Sequence, residues 1–175
     1  GWEGYNLIAC VLDEIAAFKV ASELGGEKNR YSADTLYNMA NNSVISRFPD
    51  VGKIALLSFP RYTDDFIQER YEASISEKKV RKITQVMGQH EGKDVEVSWE
   101  DDEIISYAMP KVWALKAPSF YINPQRKIED YLSSYISNPV ETLGRFFCQP
   151  PKAVDAYFRD PDRVRICFPE DDELN

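Results

Sequence analysis

Leu7-Ile8-Ala9-Cys10-Val11-Leu12-Asp13-Glu14 runs six apolar or small residues directly into two carboxylates, with no turn residue between them. A short apolar run without alternation predicts a strand buried on both faces, as at the centre of a parallel α/β sheet. Asp13 and Glu14 then fall at its carboxyl end, the edge at which open α/β sheets hold their ligands. Adjacent acids have a chemical use there. The first can hold Mg2+, directly or through water, because that hard ion takes oxygen ligands and keeps several waters. The second can orient or deprotonate a water that attacks a γ-phosphate. A plainer reading competes with this one. The strand is simply followed by the acidic first turn of a helix over residues 15–24, where the helix dipole favours carboxylates.

Outward from this stretch, Ile15, Ala16, Ala17, Phe18, Val20 and Ala21 suit a helix that Gly25-Gly26 ends, and residues 27–31 read as polar loop. A second helix is expected to start near Ser32 to Asp34, with Leu36, Met39, Ala40 and Val44 on one stripe. Phe48-Pro49-Asp50-Val51-Gly52 is turn chemistry. Lys53-Ile54-Ala55-Leu56-Leu57-Ser58-Phe59-Pro60 is then a second apolar run. It must finish near Ser58, since Pro60 cannot donate to a ladder and restrains Phe59. A helix-length connection favours a parallel pair, which puts Ser58 on the same edge as Asp13 and Glu14. There its hydroxyl can bond the attacking water or the γ-phosphate, or it is only a strand-ending residue.

An apolar strand ending in Asp-Glu is the Walker B pattern of P-loop ATPases. Followed about forty residues later by an apolar strand ending in Ser-X-Pro, it resembles the large terminase subunit of tailed bacteriophages. Asp13 and Glu14 match that family's Walker B pair, and Ser58 with Pro60 matches its coupling motif. Phe59 departs from the small residue usual between them. Arg47-Phe48 is similarly placed, and Lys111-Val112-Trp113-Ala114-Leu115-Lys116 with Asn123-Pro124 loosely resembles a late strand and its Asn-Pro turn. The resemblance spans roughly residues 1–150. It implies an α/β fold: a partial P-loop NTPase-like sheet of parallel strands with flanking helices, plus a small helical companion subdomain. Residues 151–175 would form a linker toward an absent downstream domain. It further implies Asp13 as the Mg2+ ligand, Glu14 as the catalytic base, Ser58 and Pro60 as coupling residues, and ATP as substrate. The partners implied are double-stranded DNA, the portal and the small terminase subunit, with homo-oligomer formation possible, in the cytoplasm of an infected bacterial cell.

The sequence has no G-x-x-x-x-G-K-[ST] loop, so the phosphate cradle and its lysine are missing from this chain, which is expected not to turn over ATP alone. A start at Gly1 with a catalytic-looking strand seven residues on suggests a piece of a longer protein. No apolar run approaches the ~20 residues that span a bilayer, and no signal peptide opens the chain. Cys10, Cys148 and Cys167 are an odd number without metal-like spacing, which predicts free thiols in a reducing compartment. The net charge of −8 excludes an overall basic footprint for nucleic acid. Lys78-Lys79 with Arg81-Lys82 reads as a solvated face, and any grip on DNA must come mostly from elsewhere.

The rest reads as a companion layer. Thr63 or Asp64 is expected to cap a helix bearing Phe66, Ile67, Tyr71 and Ile75, closed by the basic run 78–82. Asp94-Val95-Glu96-Val97-Ser98-Trp99 alternates like a half-buried strand. His90 sits in a polar loop without a metal-ligand partner. Ile128, Tyr131, Leu132, Tyr135 and Ile136 form a helical core stripe. Asn138-Pro139-Val140-Glu141 is a helix start, with Val140, Leu143 and Phe147 inward and Pro150-Pro151 as the stop. Val164-Arg165-Ile166-Cys167-Phe168 predicts a last short strand before a linker tail. Two alternatives to the packaging ATPase stand beside it: another P-loop motor such as a helicase, and a non-enzymatic interaction module in which Asp13-Glu14 only begins a helix. The last predicts that Asp13, Glu14 and Ser58 do not converge in space.

Overall fold

The computed structural model of the chain describes residues 6–18, 32–63 and 65–150. The first strand, β1 (Ala9–Asp13), pairs in parallel with β2 (Lys53–Leu57), with Ala9 opposite Lys53 and Asp13 opposite Leu57. Between them lies helix α1 (Ala33–Arg47), and Ser32 caps it by accepting the Thr35 N–H at 3.2 Å. The Phe48 to Gly52 turn is closed by the Gly52 N–H donating to the Phe48 carbonyl at 2.8 Å. A parallel sheet with flanking helices is thus the frame of the first half, as the two apolar runs predict.

The sheet is not buried on both faces. Its residues alternate, with Cys10, Leu12, Ile54 and Leu56 half-buried and Ala9, Val11, Asp13, Lys53, Ala55 and Leu57 exposed. Leu12 and Leu56 pack on a small core of Ile15, Ala33 and Phe66. Val11 keeps 63 % of its surface, because among the described residues helices cover only the other side. The expected helix over residues 15–24 is, where described, a single 3-10 turn at Ile15–Ala17 that ends in extended Phe18. The Gly25-Gly26 stop, the loop over 27–31, the strand at 164–168 with Cys167, and the tail lie outside the described residues.

The second half is built on a hairpin of which the sequence reading found only the stretch Asp94 to Trp99. Helix α2 (Phe66–Ser74) is capped by Asp65, not by Thr63 or Asp64, and it stops before Ile75. From there β3 (Ile75–His90) runs straight into β4 (Lys93–Tyr107) as a long antiparallel hairpin. The basic run 78–82 therefore lies in a strand and does not close a helix. Glu91 and Gly92 both take positive φ, 51° and 76°, which is what a two-residue turn matching strand twist requires. At Gly88 (φ 155°) the ladder slips, and an added Cβ would stand 2.8 Å from the Leu132 side chain. The alternation from Asp94 to Trp99 does mark a strand, which continues to Tyr107.

One face of this hairpin carries the larger core: Met87, Val97 and Trp99 against Tyr131 and Phe147. Three short helices supply the other side, α3 (Ser119–Ile122), α4 (Leu132–Ser137) and α5 (Pro139–Phe147). Trp99 meets Phe120 and Phe147 edge-on at centroid distances of 5.7 and 5.4 Å. The Ile128, Tyr131, Leu132 and Tyr135 stripe packs inward as expected, but Ile136 is exposed. Asn138 caps α5 by accepting the Glu141 N–H at 3.2 Å, with Pro139 in the first turn. Leu143 and Phe147 pack inward while Val140 stays 46 % exposed, since a nine-residue helix has room for one narrow buried stripe. Residues 111–116 form no strand; this segment is held instead by Tyr107 donating to the Ala114 carbonyl and by Lys116 near Asp102. Asn123-Pro124 is a turn, with the Arg126 N–H donating to the Asn123 carbonyl at 3.0 Å.

Candidate functional site

Asp13 and Glu14 leave β1 at the edge where Ser58 leaves β2. Two five-residue strands in parallel register make this so, since Asp13 stands opposite Leu57, the residue before Ser58. Asp13 and Glu14 are exposed and Ser58 is half-buried. The Asp13 Oδ1 accepts the Glu14 N–H at 2.9 Å. Glu14 itself is held in the left-handed region (φ 51°, ψ 36°), and its carbonyl accepts the Ala17 N–H at 2.8 Å. A non-glycine residue is rarely placed there, and such strain gathers at functional turns.

The turn that follows the Asp-Glu pair touches Ser58. The Ala16 N–H donates to Ser58 Oγ at 3.2 Å, across 42 residues of chain, and the Ser58 hydroxyl donates to the Phe59 carbonyl at 3.2 Å. The hydroxyl is therefore engaged with the turn after Glu14. Its link to the acids runs through backbone, and the non-convergence required by the interaction-module reading is not found. Pro60 is buried, and the chain beyond it is pinned by Asp65. That buried carboxylate accepts the N–H groups of Arg61 at 2.6 Å, Tyr62 at 3.2 Å and Gln68 at 2.9 Å. Sequence reasoning missed Asp65, although an acid three residues before Gln68 is a helix-start signal.

The same loop meets α5. A Cβ added at Gly144 would lie 3.6 Å from the Pro60 carbonyl oxygen. The Arg145 guanidinium lies over the Phe59 ring, 5.8 Å from its centroid. The Ser58 to Arg61 segment thus joins the parallel sheet on one side to the helices under the hairpin on the other.

Charge is arranged quite differently on the hairpin. The basic run of β3 and the acidic run of β4 are paired across the ladder, with Arg81 and Asp101 at 2.8 Å. Asp102, its side chain only 2 % exposed, receives Tyr71 Oη at 3.1 Å and Lys78 Nζ at 3.3 Å. Burial, reinforced by the charge of Asp102 and the hydrogen bond to it, pushes the Tyr71 phenol far up from its ordinary value. For Lys78 burial acts downward, but hydrogen bonds and charge from Glu72 and Asp102 outweigh it, and its pKa is raised. His90 stands exposed beside the hairpin tip, 3.9 Å from Glu91. Cys10 and Cys148 are free thiols, and burial raises the pKa of each.

As a place for Mg2+ the edge offers two adjacent exposed carboxylates, Asp13 and Glu14, and no group of three or more metal-ligating side chains exists among the described residues. That donor set fits Mg2+ held mainly by waters and substrate phosphates, which needs only one or two protein carboxylates. It does not fit a metal caged by protein alone. Among the described residues no helix is long and apolar enough to cross a membrane.

Compared with known proteins, residues 1–148 match the family described as "Uncharacterized protein MJ0330, N-terminal P-loop domain". No curated protein and no solved structure matches the chain. The match agrees in kind with a parallel sheet whose polar edge carries an Asp-Glu pair. Spanning most of the 175 residues, it shows that the chain belongs to the family of the MJ0330 N-terminal P-loop domain.

Proposed function

We propose that this chain is the part of a nucleoside-triphosphate-driven motor that holds the catalytic acid and the coupling loop, and that the motor is a DNA-packaging ATPase of the terminase large-subunit type. The observation that carries the reading is the hydrogen bond from the Ala16 N–H to Ser58 Oγ, which ties the Asp-Glu turn to the Ser-X-Pro loop at one sheet edge. In this reading Asp13 holds Mg2+, which neutralises charge on the nucleotide phosphates when bound. Glu14 accepts a proton from the attacking water, a role that suits an exposed carboxylate fixed by a strained turn. Ser58 senses the state of that turn through the Ala16 N–H. Pro60 and Phe59 pass the displacement to α5 through Gly144 and Arg145. Double-stranded DNA, a portal, a small terminase subunit and further copies of the motor are the partners proposed, in the cytoplasm of an infected bacterial cell. The terminase assignment is supported by the pairing of the two motifs in parallel register and by their spacing.

The sequence has no G-x-x-x-x-G-K-[ST] loop, so we propose that hydrolysis be measured in a longer parent that carries one. There Glu14→Gln should retain Mg-ATP binding and lower turnover by at least ~100-fold, the usual worth of a positioned base. Asp13→Asn should weaken Mg2+-dependent nucleotide binding. Ser58→Ala should keep most ATP hydrolysis while DNA moved per ATP falls sharply. Near wild-type hydrolysis by Glu14→Gln would overturn the assignment.

A further inference from the structure

Two arginines from distant parts of the chain converge on one ring. The Cζ atom of Arg61 lies 5.7 Å from the centroid of Phe59, and that of Arg145 lies 5.8 Å from the same centroid. Both are within the ~6 Å reach of a cation–π contact. Arg145 also stands 5.7 Å from the Phe146 ring. Each arginine is fixed from behind: Arg61 by its N–H on the buried Asp65 carboxylate, Arg145 by the last turn of α5. Both side chains remain exposed. The ion pairs among the described residues engage Lys78, Arg81, His90 and Lys116, but neither of these two guanidiniums. An aromatic face orients a cation and neutralises none of its charge. Among the described residues no carboxylate forms an ion pair with either guanidinium, so an oxyanion held by both would supply their countercharge.

We propose that Arg61 and Arg145, oriented by Phe59, form a binding site for phosphate oxyanions, and that its natural ligand is the phosphate chain of a nucleotide. The planar donor fork of arginine matches phosphate oxygens in pairs. Phe59 directly follows Ser58, whose hydroxyl is bonded to the turn that presents Glu14, so the pair stands beside the candidate hydrolytic edge. Nucleic acid is disfavoured as the source. The chain carries a net charge of −8, and the basic run of β3 is paired with the acids of β4. The choice of a nucleotide rests on the function proposed above; the oxyanion site itself does not.

The test is titration of the full chain with sodium tripolyphosphate in metal-free buffer, by calorimetry and by NMR of the arginine Nε–H signals. Saturable binding that shifts the Arg61 and Arg145 signals is expected. Arg61→Gln and Arg145→Gln should each weaken binding ~10-fold or more, as loss of a charge-assisted bidentate contact does. Arg126→Gln, which removes the same charge from an exposed turn and from no cation–π contact with Phe59, should change it less than ~2-fold, since an exposed charge that does not touch the anion is largely screened. Melting temperatures of the variants check that each is folded. Absence of saturable binding, or an equal loss in Arg126→Gln, would overturn the site. ATP should compete with tripolyphosphate; if instead only duplex DNA competes, the nucleotide assignment is overturned. Because binding is read without metal or turnover, its failure is separable from failure of the hydrolytic roles of Asp13 and Glu14.

Discussion

Glu14 is the residue at which local preference and placement disagree most. Its left-handed backbone suits glycine, and a side chain there costs about 1–2 kcal/mol. No described contact of the carboxylate offsets that cost, as the exposed side chain forms neither an ion pair nor a hydrogen bond among the described residues. Glu14→Gly is therefore expected to stabilise the chain by about 0.5–1 kcal/mol, read as a raised urea midpoint with unchanged slope. Destabilisation would mean that the carboxylate holds the turn together and is not kept for chemistry. At this scale the acids and Ser58 were legible, because an apolar run announces its own end. Asp65 was not, since Thr63-Asp64-Asp65 offers three consecutive capping residues and only the three-dimensional turn selects the last.

At the level of elements, the hairpin was the feature hidden from sequence. Phe66, Ile67, Tyr71 and Ile75 continue a helical rhythm past the true end of α2. The strand that follows hides its alternation, because its sides are occupied by charged residues that pair across the ladder. The Glu91-Gly92 tip lacks the Asn-Gly or Asp-Gly signature of such turns. What fastens α2 to the hairpin is the Tyr71, Lys78 and Asp102 cluster. Tyr71 and Lys78 both hold their protons more tightly folded than unfolded. Their stabilisation is complete below their ordinary values of 10.0 and 10.5 and is lost as pH rises beyond them. Tyr71→Phe should thus cost about 1–2 kcal/mol at pH 7, and the gap to wild type should narrow above about pH 10. Urea unfolding of both proteins across that range measures it. A gap independent of pH would assign the loss to packing rather than to the bond with Asp102.

For the molecule as a whole, the first half was readable from two apolar runs and the connection between them, and membership of a P-loop domain family accords with it. The contact between the halves was not readable, because Phe59 meets Arg145 through folding and not through any spacing along the chain. The two pairs of strands also differ in how far apart their partners lie. His90 meets Lys93 across a two-residue turn, whereas Ala9 finds Lys53 only after the intervening chain, α1 included, is in place. Time separates them accordingly. A short-turn hairpin zips within about 1–10 μs, while distant parallel pairing waits on loop closure. In pulsed hydrogen exchange during refolding, amides of β3 and β4 should gain protection first and those of β1 and β2 last. A chain emerging from the ribosome meets these events in reverse, with β1 synthesised before β2. Its open apolar strand must be sheltered during synthesis until Lys53 to Leu57 arrives to pair with it.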